Sequence, residues 1–143
     1  MIHTLIFTAY ILFYWNSGVK SISMTAYESK YSWVGFYLFM ATIAGFFLAG
    51  EPGQLFFGVG SFYIAGAFLI AAGVTHRFQK KLVKNLHHAV STIAICFGFY
   101  AVGSWLVVGL FALSLVPAYL YGRSRFLWWL EISAFYLIKI FTF

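Results

Sequence analysis

The sequence has 143 residues, of which 63% are hydrophobic and only 8% are charged, and its formal net charge is +6. Charged residues ordinarily make up about 25% of a globular chain, because a soluble domain needs a polar surface. The composition therefore excludes an ordinary soluble domain and predicts an all-α, polytopic transmembrane helical bundle. The 18 Phe, 10 Tyr and 5 Trp side chains suit lipid contact and interfacial aromatic belts.

Six apolar runs follow one another along the chain, separated by short polar or small-residue breaks. A helix that crosses a hydrocarbon core needs about 20 residues, so the second and third runs are of full length and the other four are short. Because the breaks are short, consecutive helices must pack antiparallel, and we expect one transmembrane domain over residues 1–143. The predicted spans are about residues 2–16, 32–50, 54–75, 88–103, 105–121 and 126–143.

Two of the breaks carry turn residues. Glu51-Pro52-Gly53 combines a carboxylate, a proline and a glycine, which predicts a tight hairpin between the second and third helices. Gly103-Ser104 is the only turn signal between His88 and Tyr121. One kinked helix over that whole stretch, and hence five spans, is the alternative there.

The basic residues predict the topology. With six spans, three loops on one side hold eight of the nine Lys and Arg residues, which makes that side cytoplasmic under the positive-inside rule. Both termini and Glu51 then lie on the extracytoplasmic side. Lys139, near the end of the last helix, is the exception, and its long stem can reach the interface. The eight residues are Lys20, Lys30, Arg77, Lys80, Lys81, Lys84, Arg123 and Arg125.

The largest basic loop runs from Thr75 to His88. Its cations alternate with apolar residues at helical spacing, which is typical of an interfacial amphipathic segment that meets anionic lipid headgroups. A nucleic-acid partner is not predicted. The loop would otherwise serve only as a topology determinant.

Glu131 is the first candidate for a functional residue. It lies about one and a half turns inside the last predicted span, where a charged group is costly and must be protonated, paired or in contact with water. The functional hypothesis is a proton or metal site. The structural alternative is a salt bridge to Arg123 or Arg125.

The histidines supply a second set of candidates at the same cytoplasmic level as Glu131. Imidazole and carboxylate are common zinc ligands, and a zinc site needs three or four of them. Adjacent helical residues point about 100° apart, so only one of His87 and His88 can share an interior point with His76 and Glu131. Ser23 is the candidate for a hydroxyl partner. Headgroup-level polar residues without a function are the alternative.

Three short motifs carry a family resemblance: Ser21-Ile22-Ser23-Met24-Thr25-Ala26-Tyr27, His87-His88-Ala89 and Trp128-Trp129-Leu130-Glu131. In this order they resemble a group of small, uncharacterised bacterial multipass membrane proteins, a resemblance that implies no established activity. The polar residues are also distantly similar to the CREST membrane hydrolases, alkaline ceramidases and adiponectin-type receptors, in which Ser, Asp and His form a zinc amidase site. This chain has no Asp and six predicted spans rather than seven.

Three functions follow from these patterns. The first is non-enzymatic: a compact protein that assembles with itself or as an accessory subunit of a membrane complex. The second is a channel or small transporter that uses Glu131. The third is a membrane-embedded, zinc-dependent lipid hydrolase whose metal ligands come from His76, His87, His88 and Glu131, with Ser23 beside them.

Overall fold

The computed structural model describes residues 2–27, 30–75, 81–121 and 123–142. For residues 81–84 and 121 it describes the backbone only. The described chain is all-α, apart from one short hairpin. The helices are α1 (Ile2–Phe13), α2 (Ser32–Ala49), α3 (Ser61–Thr75), α4 (Lys81–Val102), α5 (Trp105–Tyr121) and α6 (Phe126–Thr142). Two 3₁₀ helices span Ile22–Tyr27 and Arg123–Arg125, and strands β1 (Leu55–Phe56) and β2 (Val59–Gly60) pair antiparallel.

Each predicted apolar run overlaps one of the α-helices in the described part of the chain, but two helices begin elsewhere than expected. Helix α4 begins at Lys81 rather than at His88, because the apolar residues of the basic segment repeat with helical spacing. Helix α3 begins at Ser61 rather than at residue 54. It has 15 residues, so the prediction of a full-length helix in the third run is wrong.

The residues that shorten α3 form a longer connection than the predicted tight hairpin. The first backbone N–H groups of a helix have no acceptor within the helix. Here the Ser61 N–H donates to the Gln54 carbonyl at 3.0 Å and the Phe62 N–H donates to the Pro52 carbonyl at 3.2 Å. The Gln54 N–H in turn donates to the Ala101 carbonyl at 3.1 Å. These hydrogen bonds therefore join the connection to the first residues of α3 and to the last turn of α4.

The break at Gly103-Ser104 separates two helices. Gly103 has φ +68°, a conformation that favours glycine and commonly ends a helix. Its N–H donates to the Phe99 carbonyl at 3.3 Å, while the Ser104 carbonyl accepts from Val107 at 3.1 Å and begins α5. The single kinked helix is therefore not formed.

The chain divides into two compact units. Unit 1 comprises Met1–Phe36 and Ser104–Phe143, and unit 2 comprises Tyr37–Gly103. In unit 1, α5 packs against α6, and α1 packs on α6 through stacked Phe7 and Phe135 rings whose centroids are 3.8 Å apart. The hydroxyls of Thr8 and Tyr136 add a hydrogen bond of 2.6 Å between the same two helices.

Unit 2 is built on α3, which packs along α4. Small residues let α2 approach α3: a Cβ added to Gly66 would lie 2.8 Å from Leu48 Cγ. Close backbone approach of this kind supplies much of helix association in lipid, where the hydrophobic effect between helices is weak.

Two of the described helices are long and apolar enough to cross a membrane, namely Ser32–Ala49 and the Asn85–Val102 part of α4. Shorter apolar helices cover Ile2–Phe13, Ser61–Thr75 and Trp105–Leu120. Length and composition therefore permit a membrane protein, with two helices of spanning length.

Candidate functional site

The main polar site lies in unit 1, where the segment that follows α1 meets the beginning of α6. The Trp128 N–H donates to the Lys20 carbonyl at 3.0 Å. One turn further along α6, Glu131 Oε2 accepts a hydrogen bond of 2.6 Å from the Ile22 N–H. Ile22 begins the first 3₁₀ helix, so the carboxylate caps that helix.

The same 3₁₀ helix is fixed on its other side by hydroxyl groups. Thr25 is fully buried, and its Oγ1 donates to the Ile22 carbonyl at 2.5 Å. Since the single hydroxyl proton of Thr25 is used there, the Tyr10 hydroxyl donates to Thr25 Oγ1, also at 2.5 Å. The 3₁₀ helix is therefore bonded to α6 through Ile22 and to α1 through Thr25.

Ser23, the predicted hydroxyl partner, lies on the same 3₁₀ helix. Its Oγ is 3.0 Å from Ser21 Oγ. Ser21 is buried and Ser23 is partly exposed. We name Tyr10, Ser21, Ile22, Ser23, Thr25 and Glu131 together the Glu131 cluster.

Arg125 forms hydrogen bonds with the beginning of the segment that follows α1. Its guanidinium donates through Nη1 to the Trp15 carbonyl at 2.6 Å, through Nε to the Val19 carbonyl at 2.9 Å and through Nη2 to the Tyr14 carbonyl at 3.4 Å. A planar five-donor guanidinium can bond to several carbonyls at once, and these three belong to the segment that follows α1. The guanidinium also lies over the ring of Trp128, 4.9 Å from its centroid.

The predicted salt bridge between Glu131 and an arginine is not formed among the described residues. Glu131 bonds to the Ile22 N–H, and Arg125 bonds to the carbonyls of Trp15 and Val19, in the segment that follows α1. Arg123 lies over the Tyr119 ring, 5.6 Å from its centroid. The donors of Arg125 are therefore taken by backbone carbonyls, which its planar guanidinium binds several at a time.

His87 and His88 lie on α4, which belongs to unit 2. His87 is buried in unit 2, and its Nδ1 lies 2.9 Å from the Ala72 carbonyl, so that nitrogen carries the proton. His88 is exposed, which agrees with the expectation that only one of the pair points inward. Glu131 belongs to unit 1.

The zinc hypothesis needs a third ligand, and His76 lies outside the described residues. Within the described residues, no three His, Cys, Asp or Glu side chains come together as a metal site. The zinc site and the hydrolase role of Ser23 stay predictions.

The predicted topology residues fall into three groups. Arg77 and Lys80 lie outside the described residues. Lys81 and Lys84 lie in the first turn of α4. Arg123 and Arg125 form the second 3₁₀ helix with Ser124, and Arg125 has the additional role, missed from the sequence, of binding carbonyls in the segment that follows α1.

Comparison with known proteins adds no relative. No family model, curated protein or solved structure matches the chain. Its function is therefore inferred from its own geometry.

Proposed function

We propose that the chain is a small multi-pass membrane protein with six short antiparallel spans and with both termini outside the cytoplasm. In this proposal it works by assembling with itself or as an accessory subunit of a membrane complex. The observation that supports it most is the exposure of large apolar side chains on every α-helix, a pattern that lipid or membrane partners would cover. Examples, one from each helix in chain order, are Leu12, Leu38, Ile70, Leu86, Leu113 and Ile140.

The lengths of the helices support assembly in particular. Helix α1 has 12 residues and α3 has 15, which correspond to about 18 Å and 22 Å at 1.5 Å per residue. Both are shorter than the roughly 30 Å hydrocarbon core. A short span is accommodated by local bilayer thinning or by oligomerisation, and a tight contact between copies or subunits shields the mismatched ends from lipid.

The use of Glu131 also favours assembly over transport. One carboxylate oxygen already accepts the Ile22 N–H, and a peptide N–H that is fixed in this way does not carry protons onward. The bond instead holds the 3₁₀ helix in place. We therefore assign Glu131 to the structure of unit 1 rather than to an ion path.

Assembly is tested on the chain as it exists, through its single cysteine. Cys96 is exposed on α4, so separate samples can be labelled with a donor and an acceptor dye and mixed in vesicles. We expect energy transfer that persists when the lipid-to-protein ratio is raised tenfold, because the chains of a specific complex stay bound to one another when lipid is added.

A hetero-complex requires a second measurement. The protein is extracted from its host membrane in polymer-bound lipid discs and its native mass is determined. A mass above that of one chain supports the proposal. Energy transfer at the level of random proximity, together with a monomer mass in the discs, would contradict it.

A further inference from the structure

The connection between α2 and α3 ends in an apolar β-hairpin, Leu55–Gly60, which we call the hairpin. Strands β1 and β2 pair Phe56 with Val59, and the two turn residues have positive φ, 48° at Phe57 and 81° at Gly58. This geometry is the one that tight hairpins prefer, and it selects Asn, Asp or Gly at the first turn position. A phenylalanine there adopts a backbone conformation that bulky residues rarely adopt.

The strain at Phe57 is not offset by burial of its side chain in the core. Phe57 is 93% exposed, and its neighbours Leu55 and Val59 are also exposed. The turn therefore holds a large aromatic side chain outward at a position where a small polar residue would fit the backbone better. Such a combination indicates a contact that lies outside the chain.

The hairpin folds back along α4. The Phe56 ring contacts the Phe97 ring, with centroids 5.2 Å apart, and the Tyr100 ring at 6.0 Å. The Tyr100 hydroxyl donates to the Leu55 carbonyl at 3.4 Å. Helix α4 ends at Val102, so Phe97 lies about 7 Å inside that end along the helix axis. The apolar side of the hairpin thus lies beside the last turns of α4.

These turns belong to a helix of spanning length. The Asn85–Val102 part of α4 is apolar over 18 residues, which is about 27 Å at the rise of a helix and close to the hydrocarbon thickness. In the proposed topology, the end of α4 therefore lies at the lipid boundary on the side of Glu51. In that topology, the lipid around the end of α4 also contacts the hairpin.

We propose that the hairpin is a lipid-binding element, in which Phe57 inserts between lipid chains at the extracytoplasmic interface. The inference rests on the proposed membrane topology. The occupant is bilayer lipid rather than a protein, because the hairpin lies beside a lipid-facing helix end and contains no charged residue. Among the described residues the hairpin is a sheet of two strands only. Apart from the Leu55 carbonyl, which accepts from Tyr100, the backbone groups on its outer edges therefore need water or headgroups. The element accordingly lies at interfacial depth, not in the hydrocarbon centre.

The test measures the depth of single spin labels in vesicles of phosphatidylcholine and phosphatidylglycerol. Cys96 is first replaced by alanine, and labels are then placed by Val59→Cys beside the intact Phe57, by Glu51→Cys in the same connection and by Leu38→Cys on the exposed face of α2. We expect the ratio of oxygen to nickel-chelate collisions to be several-fold higher at 59 than at 51, and highest at 38.

The three positions separate the possible failures. If 38 is lipid-exposed while 59 matches 51, the hairpin proposal is overturned and the membrane proposal stands. If 38 also has a water-like ratio, the membrane proposal itself fails. A label at 59 that is immobile and shielded from both collision partners would indicate a protein contact, which also overturns lipid binding.

A second variant tests Phe57 itself. Asparagine tolerates the positive φ at this turn position, so Phe57→Asn removes the aromatic ring without disfavouring the turn. A label at Val59→Cys then reports the depth of the hairpin in this variant. We expect the label at 59 to lose its excess of oxygen collisions when Phe57 is replaced. An unchanged ratio would show that Phe57 does not anchor the hairpin and would contradict the proposal.

Discussion

Replacing Arg125 with lysine is expected to lower the free energy of unfolding by about 2 kcal/mol, although the positive charge is retained. The guanidinium bonds to the carbonyls of Trp15 and Val19 and lies over the Trp128 ring. One ammonium group cannot reproduce this planar arrangement, and each lost charge-assisted bond contributes about 1.5–3 kcal/mol before water or lysine compensates. The measurement is reversible unfolding in mixed micelles of increasing SDS fraction.

The matched control is Arg123→Lys. Arg123 lies on the same 3₁₀ helix and contacts the Tyr119 ring, and a lysine can still face that ring. We expect a change of less than about 0.5 kcal/mol, typical of surface positions. Equal losses for the two variants would show that the bonds from Arg125 to the Trp15 and Val19 carbonyls do not stabilise the fold.

Replacing Glu131 with alanine is the second large effect. Its carboxylate accepts the Ile22 N–H at 2.6 Å, and Ile22 is buried. Alanine leaves that N–H without its acceptor, which costs about 1–3 kcal/mol in free energy of unfolding. Glu131→Gln retains an acceptor oxygen, so we expect it to keep more than half of the lost stability. The exposed Glu51→Ala serves as the control and should change little.

The same variants separate the structural role of Glu131 from a role in transport. If glutamine destabilises as much as alanine, the negative charge rather than the acceptor is needed, and the assignment of Glu131 as a helix cap is wrong. Proton flux into vesicles that contain the glutamine variant provides the functional readout. We expect it to equal that of the unaltered chain.

The positions of the helices were largely predictable. Apolar runs of 15 or more residues without proline near their centres favour helices in any apolar environment. Each predicted run overlaps one α-helix of the structure. Gly103 was readable as a break because glycine adopts the positive φ that ends α4. The inward position of only one of His87 and His88 followed from helix geometry alone.

The hairpin and the Glu131 cluster were less accessible from the sequence. Leu55-Phe56-Phe57 extends the apolar run of α3, so its composition hides the strand pair. The flanking bonds from Phe62 to Pro52 and from Gln54 to Ala101 depend on the tertiary fold. The bond from Ile22 to Glu131 joins residues 109 positions apart. Local spacing carries no record of such a pair, nor of the bonds from Arg125 to the Trp15 and Val19 carbonyls, which join residues 110 and 106 positions apart.

The most direct test of the central claim, six spans with the basic loops inside, is cysteine labelling in cells. Cys96 is replaced by alanine, and Glu51→Cys or Ser124→Cys is introduced at an exposed position. A membrane-impermeant maleimide should label residue 51 in intact cells and residue 124 only after the membrane is opened. Labelling of both residues in intact cells, or of neither until lysis, would contradict the topology.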